Sequence, residues 1–140
     1  MFTALLVLIT DLTERDKMAH ILLVENNIQI QHCLQVQLGL MGHTVMVANH
    51  GLEALNILAT GIVFDFVMTD NHMEVMGGVE FIKEVKKLGY GFKIIMITGS
   101  RNVESEADYI LHKPFDLASL EIAIDFALVS FNNPLEMTNV

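Results

Sequence analysis

The sequence predicts a doubly wound α/β fold, with five parallel strands in one sheet and helices on both of its faces. Three observations carry that reading. From Ile21 onward, short apolar runs alternate with longer segments of helical periodicity, the pattern of strands joined by helical crossovers. The runs are rich in the β-branched and aromatic residues that suit strands buried on both sides. Each run but the second is stopped on its carboxyl side by residues able to do chemistry.

The strands are expected at residues 21–24, 44–47, 64–68, 93–97 and 109–111. Between the first two, Ile30, Leu34 and Leu38 fit one face of a helix. Ile28 and Ile30, then Leu34, Val36 and Leu38, also alternate with polar residues, but the segment's length and the stop from Gly39 to Gly42 favour helix. Leu52, Leu55 and Leu58 make the face of a second helix. Val79, Ile82 and Val85 make that of a third, which Gly89 ends. Asp116, following Pro114, is placed to cap a final helix that buries Leu117, Leu120, Ile124 and Leu128. The reading gives one domain over residues 18–131. Residues 1–17, an apolar run followed by a charged linker, are expected to be a mobile or loosely packed extension, the alternative being an added strand or helix that covers exposed apolar surface, and 132–140 a polar tail.

Composition narrows the function classes. The chain has 140 residues, 52% of them apolar, and a net charge of −9. No Lys or Arg occurs between Lys17 and Lys83, so there is no basic stripe to neutralise phosphates, and a nucleic-acid partner is not expected. No apolar run approaches the roughly 18 residues of a membrane span, so no membrane partner is expected either. The single Cys33 excludes an internal disulfide, which fits a reducing cytoplasm; it is read as a small buried hydrophobe. The six histidines show no pairing at ligand spacing within one element, which argues against zinc. The nine methionines read as adaptable core filler, with Met73 and Met76 able to form a contact surface.

The residues that end the strands are the informative ones. Glu25, Asn26 and Asn27 follow the first, Asp70 the third, Thr98 the fourth, and Lys113 the fifth. In an open parallel sheet, ligands bind outside the carboxyl ends of the strands, where strand order reverses. The order 2-1-3-4-5 would gather Glu25, Asp70, Thr98 and Lys113 into one pocket.

The stretches ILLVENN, FVMTDNHMEVMGG, IIMITGS and HKPF resemble, in order and spacing, the motifs of the receiver domain of bacterial two-component response regulators. The resemblance covers residues 18–130 and implies the flavodoxin-like, CheY-like form of the fold. It implies that Asp70 accepts a phosphoryl group from a histidine kinase or phosphotransfer protein. Thr98 then binds a phosphoryl oxygen and Lys113 pairs with the phosphoryl group. Magnesium would be held by Glu25, Asn26, Asp70 and the backbone carbonyl of His72. Such chemistry needs these types, because phosphoryl transfer to a carboxylate is largely positioning plus neutralisation of charge. Gly77 and Gly78 read as a flexible exit from the acceptor loop.

Three features depart from the family. Asn26 stands where an aspartate usually touches the metal; losing that charge weakens magnesium binding by up to about 4 kcal/mol at an effective dielectric near 20. Only residues 99–108 join the fourth and fifth strands, so the fourth helix is expected to be truncated or absent. Tyr109 lies four residues before Lys113, whereas the family's switch aromatic lies three before, where this chain has Ile110. The expected function is a single-domain receiver in phosphorelay signal transduction, not an enzyme on external substrates, acting on a downstream protein. The alternative is a pseudo-receiver that binds without phosphorylation. A phosphatase is disfavoured by His72, which occupies the place of a second acid. A homodimer through the face of the fourth and fifth strands is expected to cover sheet that the short crossover leaves open.

Overall fold

A computed structural model describes residues 18–129. The five strands β1 (His20–Val24), β2 (Thr44–Ala48), β3 (Phe66–Asp70), β4 (Lys93–Thr98) and β5 (Tyr109–His112) form one sheet. Every pairing is parallel and the order is β2-β1-β3-β4-β5. Among the described residues, four helices accompany them: α1 (Ile28–Leu40), α2 (Gly51–Ala59), α3 (Gly78–Lys87) and α4 (Leu117–Leu128). The boundaries expected for the amino-terminal extension and the tail lie outside the described residues. Among the described residues, no helix is long and apolar enough to cross a membrane.

Successive strand residues face opposite sides of the sheet, so the near-continuous apolar runs feed two cores. On one side Ile21, Leu23, Phe66, Met68, Ile95 and Ile97 meet Leu34 and Leu38 of α1, and Leu120 and Ile124 of α4. On the other, Leu22, Val67, Ile94 and Met96 meet Ala54 and Leu58 of α2, with Phe81, Ile82 and Val85 of α3. The helices start on side-chain caps. Asn27 Oδ1 accepts the N–H groups of Gln29 and Ile30 at 3.0 Å each, His50 Nδ1 that of Glu53 at 3.1 Å, and Asp116 Oδ1 that of Ser119 at 2.8 Å. Gly42 and Gly89, both at positive φ, follow the ends of α1 and α3.

Several details correct the sequence reading. β3 begins at Phe66 and not at residue 64, because Asp65 turns its carboxylate onto the His20 N–H at 2.7 Å. Leu52 is 44% exposed, since the small residues Gly51 and Ala54 carry the buried face of α2 together with Leu58. Leu117, first in α4, is 53% exposed. Cys33 is exposed: it sits about 100° around α1 from the buried Leu34.

Between β4 and β5 there is no helix at all. Residues 99–108 form a strap without helix or strand, and Val103 and Ala107 pack against the core beneath it. Asp108 anchors its far end: Oδ2 accepts the Ile94 N–H at 2.8 Å and lies 3.6 Å from Lys86 Nζ. Ile94 and Met96 are therefore fully buried. The open apolar sheet that motivated a homodimer is not found there.

Candidate functional site

The parallel register brings the carboxyl ends of β1, β3, β4 and β5 to one edge. Asp70, the last residue of β3, is in register with Ile97, and Thr98 with His112, one residue before Lys113. The Lys113 N–H also donates to the Thr98 carbonyl at 2.8 Å, so the two side chains leave neighbouring strands at the same level. A cis peptide bond joins Lys113 to Pro114.

Asp70 is held by its Oδ1, which accepts the Asn71 N–H at 2.8 Å and faces Lys113 Nζ at 3.3 Å. Its backbone is hemmed in by the start of α3. A Cβ on Gly78 would overlap the Asp70 carbonyl oxygen, and one on Gly77 would come within 2.9 Å of the Asn71 carbonyl oxygen. Neither glycine has positive φ. The pair therefore serves close approach of α3 to the acid, not the flexible exit expected from sequence.

Glu25 is buried immediately after β1, and its Oε1 accepts the Asn27 N–H at 3.1 Å. Burial pushes its carboxyl above the ordinary value. The Asp70 charge pushes the same way, while the Asn27 N–H and the Lys113 ammonium oppose both. The pocket thus holds two interacting carboxylates against one cation. Asn26 is exposed beside them.

Thr98 is fully buried, and its Oγ1 accepts the Ser100 N–H at 3.1 Å. Ser100 Oγ in turn lies 3.3 Å from Nε2 of the exposed His72, so the loops after β3 and β4 meet beside the acid. The structure thus brings Asp70 and Lys113 into contact, couples Glu25 to Asp70 electrostatically, and sets Thr98 on the adjoining strand end. Among the described residues, no group of three or more His, Cys, Asp and Glu side chains is arranged to hold a metal. The donors that are present, two carboxylates, an amide and backbone carbonyls, are all hard oxygens, and their excess negative charge suits a divalent cation such as magnesium.

Sequence reasoning missed the bracing of this edge. Gln31 Nε2 donates to the Glu25 carbonyl at 2.6 Å and to Asn49 Oδ1 at 2.9 Å; Asn49 is itself bonded to Glu53. Only the run of short polar residues after β2 hinted at it. Tyr109 turns to the α1/α4 side of the sheet, with its ring 5.3 Å from that of Phe126. A shift of one residue along a strand reverses the face, so the position three before Lys113 belongs to Ile110.

The family model described as the response regulator receiver domain matches residues 21–125. Transcriptional regulatory protein ZraR of Klebsiella oxytoca is 33% identical over 118 residues, covering 77% of this chain and 26% of that protein. Sensor histidine kinase RcsC of Salmonella typhi is 31% identical over 108 residues, covering 72% of this chain and 11% of the kinase. The chain thus spans about a quarter or less of these relatives. Among solved structures, Vibrio cholerae chemotaxis protein CheY4 superposes with a TM-score of 0.71 at 32% identity, over 79% of this chain and 98% of that one. Thermotoga maritima TrrA in complex with Mg(2+)-BeF gives 0.72 at 27% identity, over 80% and 100%. With a family model covering most of the chain, and a fold and strand order to match, this protein belongs to the response regulator receiver domain family, the signalling modules of two-component systems.

Proposed function

We propose that this domain is a phosphoacceptor, receiving a phosphoryl group on Asp70 from a histidine kinase or phosphotransfer protein and passing the signal to a downstream protein through surface contacts. The observation that carries the reading is the approach of Lys113 Nζ to Asp70 Oδ1 at 3.3 Å, in a pocket that also holds the buried Glu25. In the transfer, an Asp70 oxygen forms a bond to phosphorus as the P–N bond of the donor phosphohistidine breaks and its imidazole leaves. Lys113 offsets the charge of the incoming phosphoryl oxygens, and the Thr98 hydroxyl donates to one of them. The Asn71 N–H keeps the carboxylate oriented. Glu25, Asn26, Asp70 and the His72 carbonyl would hold magnesium, which supplies the positive charge that two carboxylates and a phosphoryl group require.

Acetyl phosphate with excess magnesium tests the reading by intact-mass spectrometry. One phosphoryl mass is expected on the wild type and none on Asp70→Asn. No adduct on the wild type at high magnesium would favour the second reading, a pseudo-receiver that binds without phosphorylation. That reading draws on Asn26, the missing helix and the Tyr109 ring packed against Phe126. A homodimer on the β4–β5 side would have to pair through the open edge of β5, and light scattering at high concentration tests it.

A further inference from the structure

The amino-terminal edge of the sheet, opposite Asp70, holds a buried titratable side chain that the phosphoacceptor reading does not use. His43 follows Gly42, whose positive φ of 95° turns the chain out of α1 toward β2. The ring is 7% exposed, and its Nδ1 accepts the Ala19 N–H at 3.0 Å. The Thr44 N–H donates in turn to the Ala19 carbonyl at 2.9 Å. Both backbone groups of Ala19 are therefore bonded to the start of β2, one through the backbone and one through an imidazole. β2 is an edge strand paired to β1 alone, so this clasp closes one end of its ladder. A ring nitrogen that accepts an N–H carries no hydrogen, which places the hydrogen of the neutral ring on Nε2.

The charges that face the ring come from two other elements, Asp65 in the turn before β3 and Asp125 on α4. α1 carries no Asp, Glu, Lys or Arg, and His20 turns its ring away to lie 4.6 Å from that of Phe64. Burial pushes the His43 imidazole below its usual value of 6.5, and the two carboxylates oppose that without cancelling it. We propose that His43 is a proton-operated clasp: the neutral ring holds the start of β2 to Ala19, and the imidazolium lets go of the Ala19 N–H and is drawn to Asp65 and Asp125. Protonation makes both ring nitrogens donors, so Nδ1 would face the amide N–H donor to donor and the bond cannot survive the charge. Acid then loosens the entry to β1 and the first residues of the edge strand, while the rest of the sheet stays paired. The clasp's contribution to stability is complete above 6.5, the unfolded value, and is lost as pH falls through the lower folded one.

Nuclear magnetic resonance of the full chain, followed from about pH 7.5 to about pH 5, tests this. The imidazole nitrogen spectrum of His43 should show hydrogen on Nε2 alone at neutral pH and a titration midpoint below 6.5. Protection of the Ala19 amide from exchange, corrected for the intrinsic pH dependence, is expected to fall about tenfold through that midpoint, the worth of one buried hydrogen bond. Protection of Val67 and Met68 in β3 should hold. His43→Asn offers an amide oxygen near the position of Nδ1 and takes up no proton in this range, so its Ala19 protection should stay level with pH. Hydrogen on Nδ1 at neutral pH, wild-type Ala19 protection that ignores pH, or the same loss in His43→Asn would each overturn the proposal. So would a loss shared equally by β3, which is global acid unfolding. The wild-type readings decide alone if His43→Asn does not fold, and acetyl phosphate labelling of Asp70 is independent of all these outcomes.

Discussion

Lys113 reaches Asp70 from the neighbouring side of β4, and their contact is lopsided: the lysine side chain is 31% exposed and the aspartate only 9%. The ammonium keeps its water while the carboxylate has lost most of its own. The attraction in such a half-buried pair is offset by the desolvation of its carboxylate. Beside it, the repulsion between Asp70 and Glu25 is a standing cost. Asp70→Asn is therefore expected to stabilise the protein by about 1 kcal/mol, the order found when a functional site is relieved of a group it strains to hold. Urea denaturation followed by circular dichroism at neutral pH measures it; a loss of stability would mean that the Lys113 contact outweighs the repulsion.

Glu25 carries a pH signature. Its folded carboxyl sits above the ordinary value of 4.5, mainly through burial. The folded state therefore holds this proton more tightly than the unfolded chain. Its contribution to stability is complete below 4.5 and is lost as pH rises through the elevated value. Glu25→Gln should remove that loss, so the stability difference between variant and wild type grows with pH across the window above 4.5. A difference that stays constant with pH would contradict the shift.

If the pocket holds magnesium as proposed, a carboxylate at position 26 should hold it more tightly. Asn26→Asp is expected to raise affinity for magnesium at least about tenfold, or 1.4 kcal/mol, out of an upper limit of about 4 kcal/mol for one added charge. Calorimetric titration with magnesium chloride reads this directly, and an unchanged affinity would place Asn26 outside the metal shell.

Val75 sits in the acceptor loop at φ 67° and is 71% exposed. A β-branched residue in the left-handed region costs about 1–2 kcal/mol, and nothing in its burial offsets that. Val75→Gly should stabilise by about 0.5–1 kcal/mol after the extra freedom of glycine in the unfolded chain is counted. Thermal melting with and without magnesium would check it; destabilisation would show that the valine side chain holds the loop.

The strands and most helix faces were legible because each is a local pattern: runs buried on both sides, and apolar spacing of three or four. The site was legible because parallel strands deliver their terminal residues to one edge, so Glu25, Asp70, Thr98 and Lys113 could be grouped before any distance was known. What stayed hidden depends on neighbours far along the chain. Gly78 looks like a hinge until the Asp70 carbonyl is seen against it. His43 is one of six histidines until its Nδ1 is found accepting the Ala19 N–H at 3.0 Å in a buried position. Cys33 and Leu52 face water because an apolar residue one position off a helix's buried stripe is exposed, and the sequence does not mark where the stripe ends.

The helixless strap between β4 and β5 shapes the order in which the domain comes apart. Halving a loop saves only about 0.6 kcal/mol of closure entropy. A two-turn amphipathic helix in its place would bury about three apolar side chains, each contributing about 1.5–3 kcal/mol. The balance falls against the strap, which lays down only Val103 and Ala107. β5 and the strap should therefore be the first part of the sheet to open in native-state hydrogen exchange, well before β1 and β3. That order of opening would leave the acid on the slow-opening centre of the sheet and Lys113 on its fast-opening flank, so local unfolding would separate the pair while the rest of the fold stays closed.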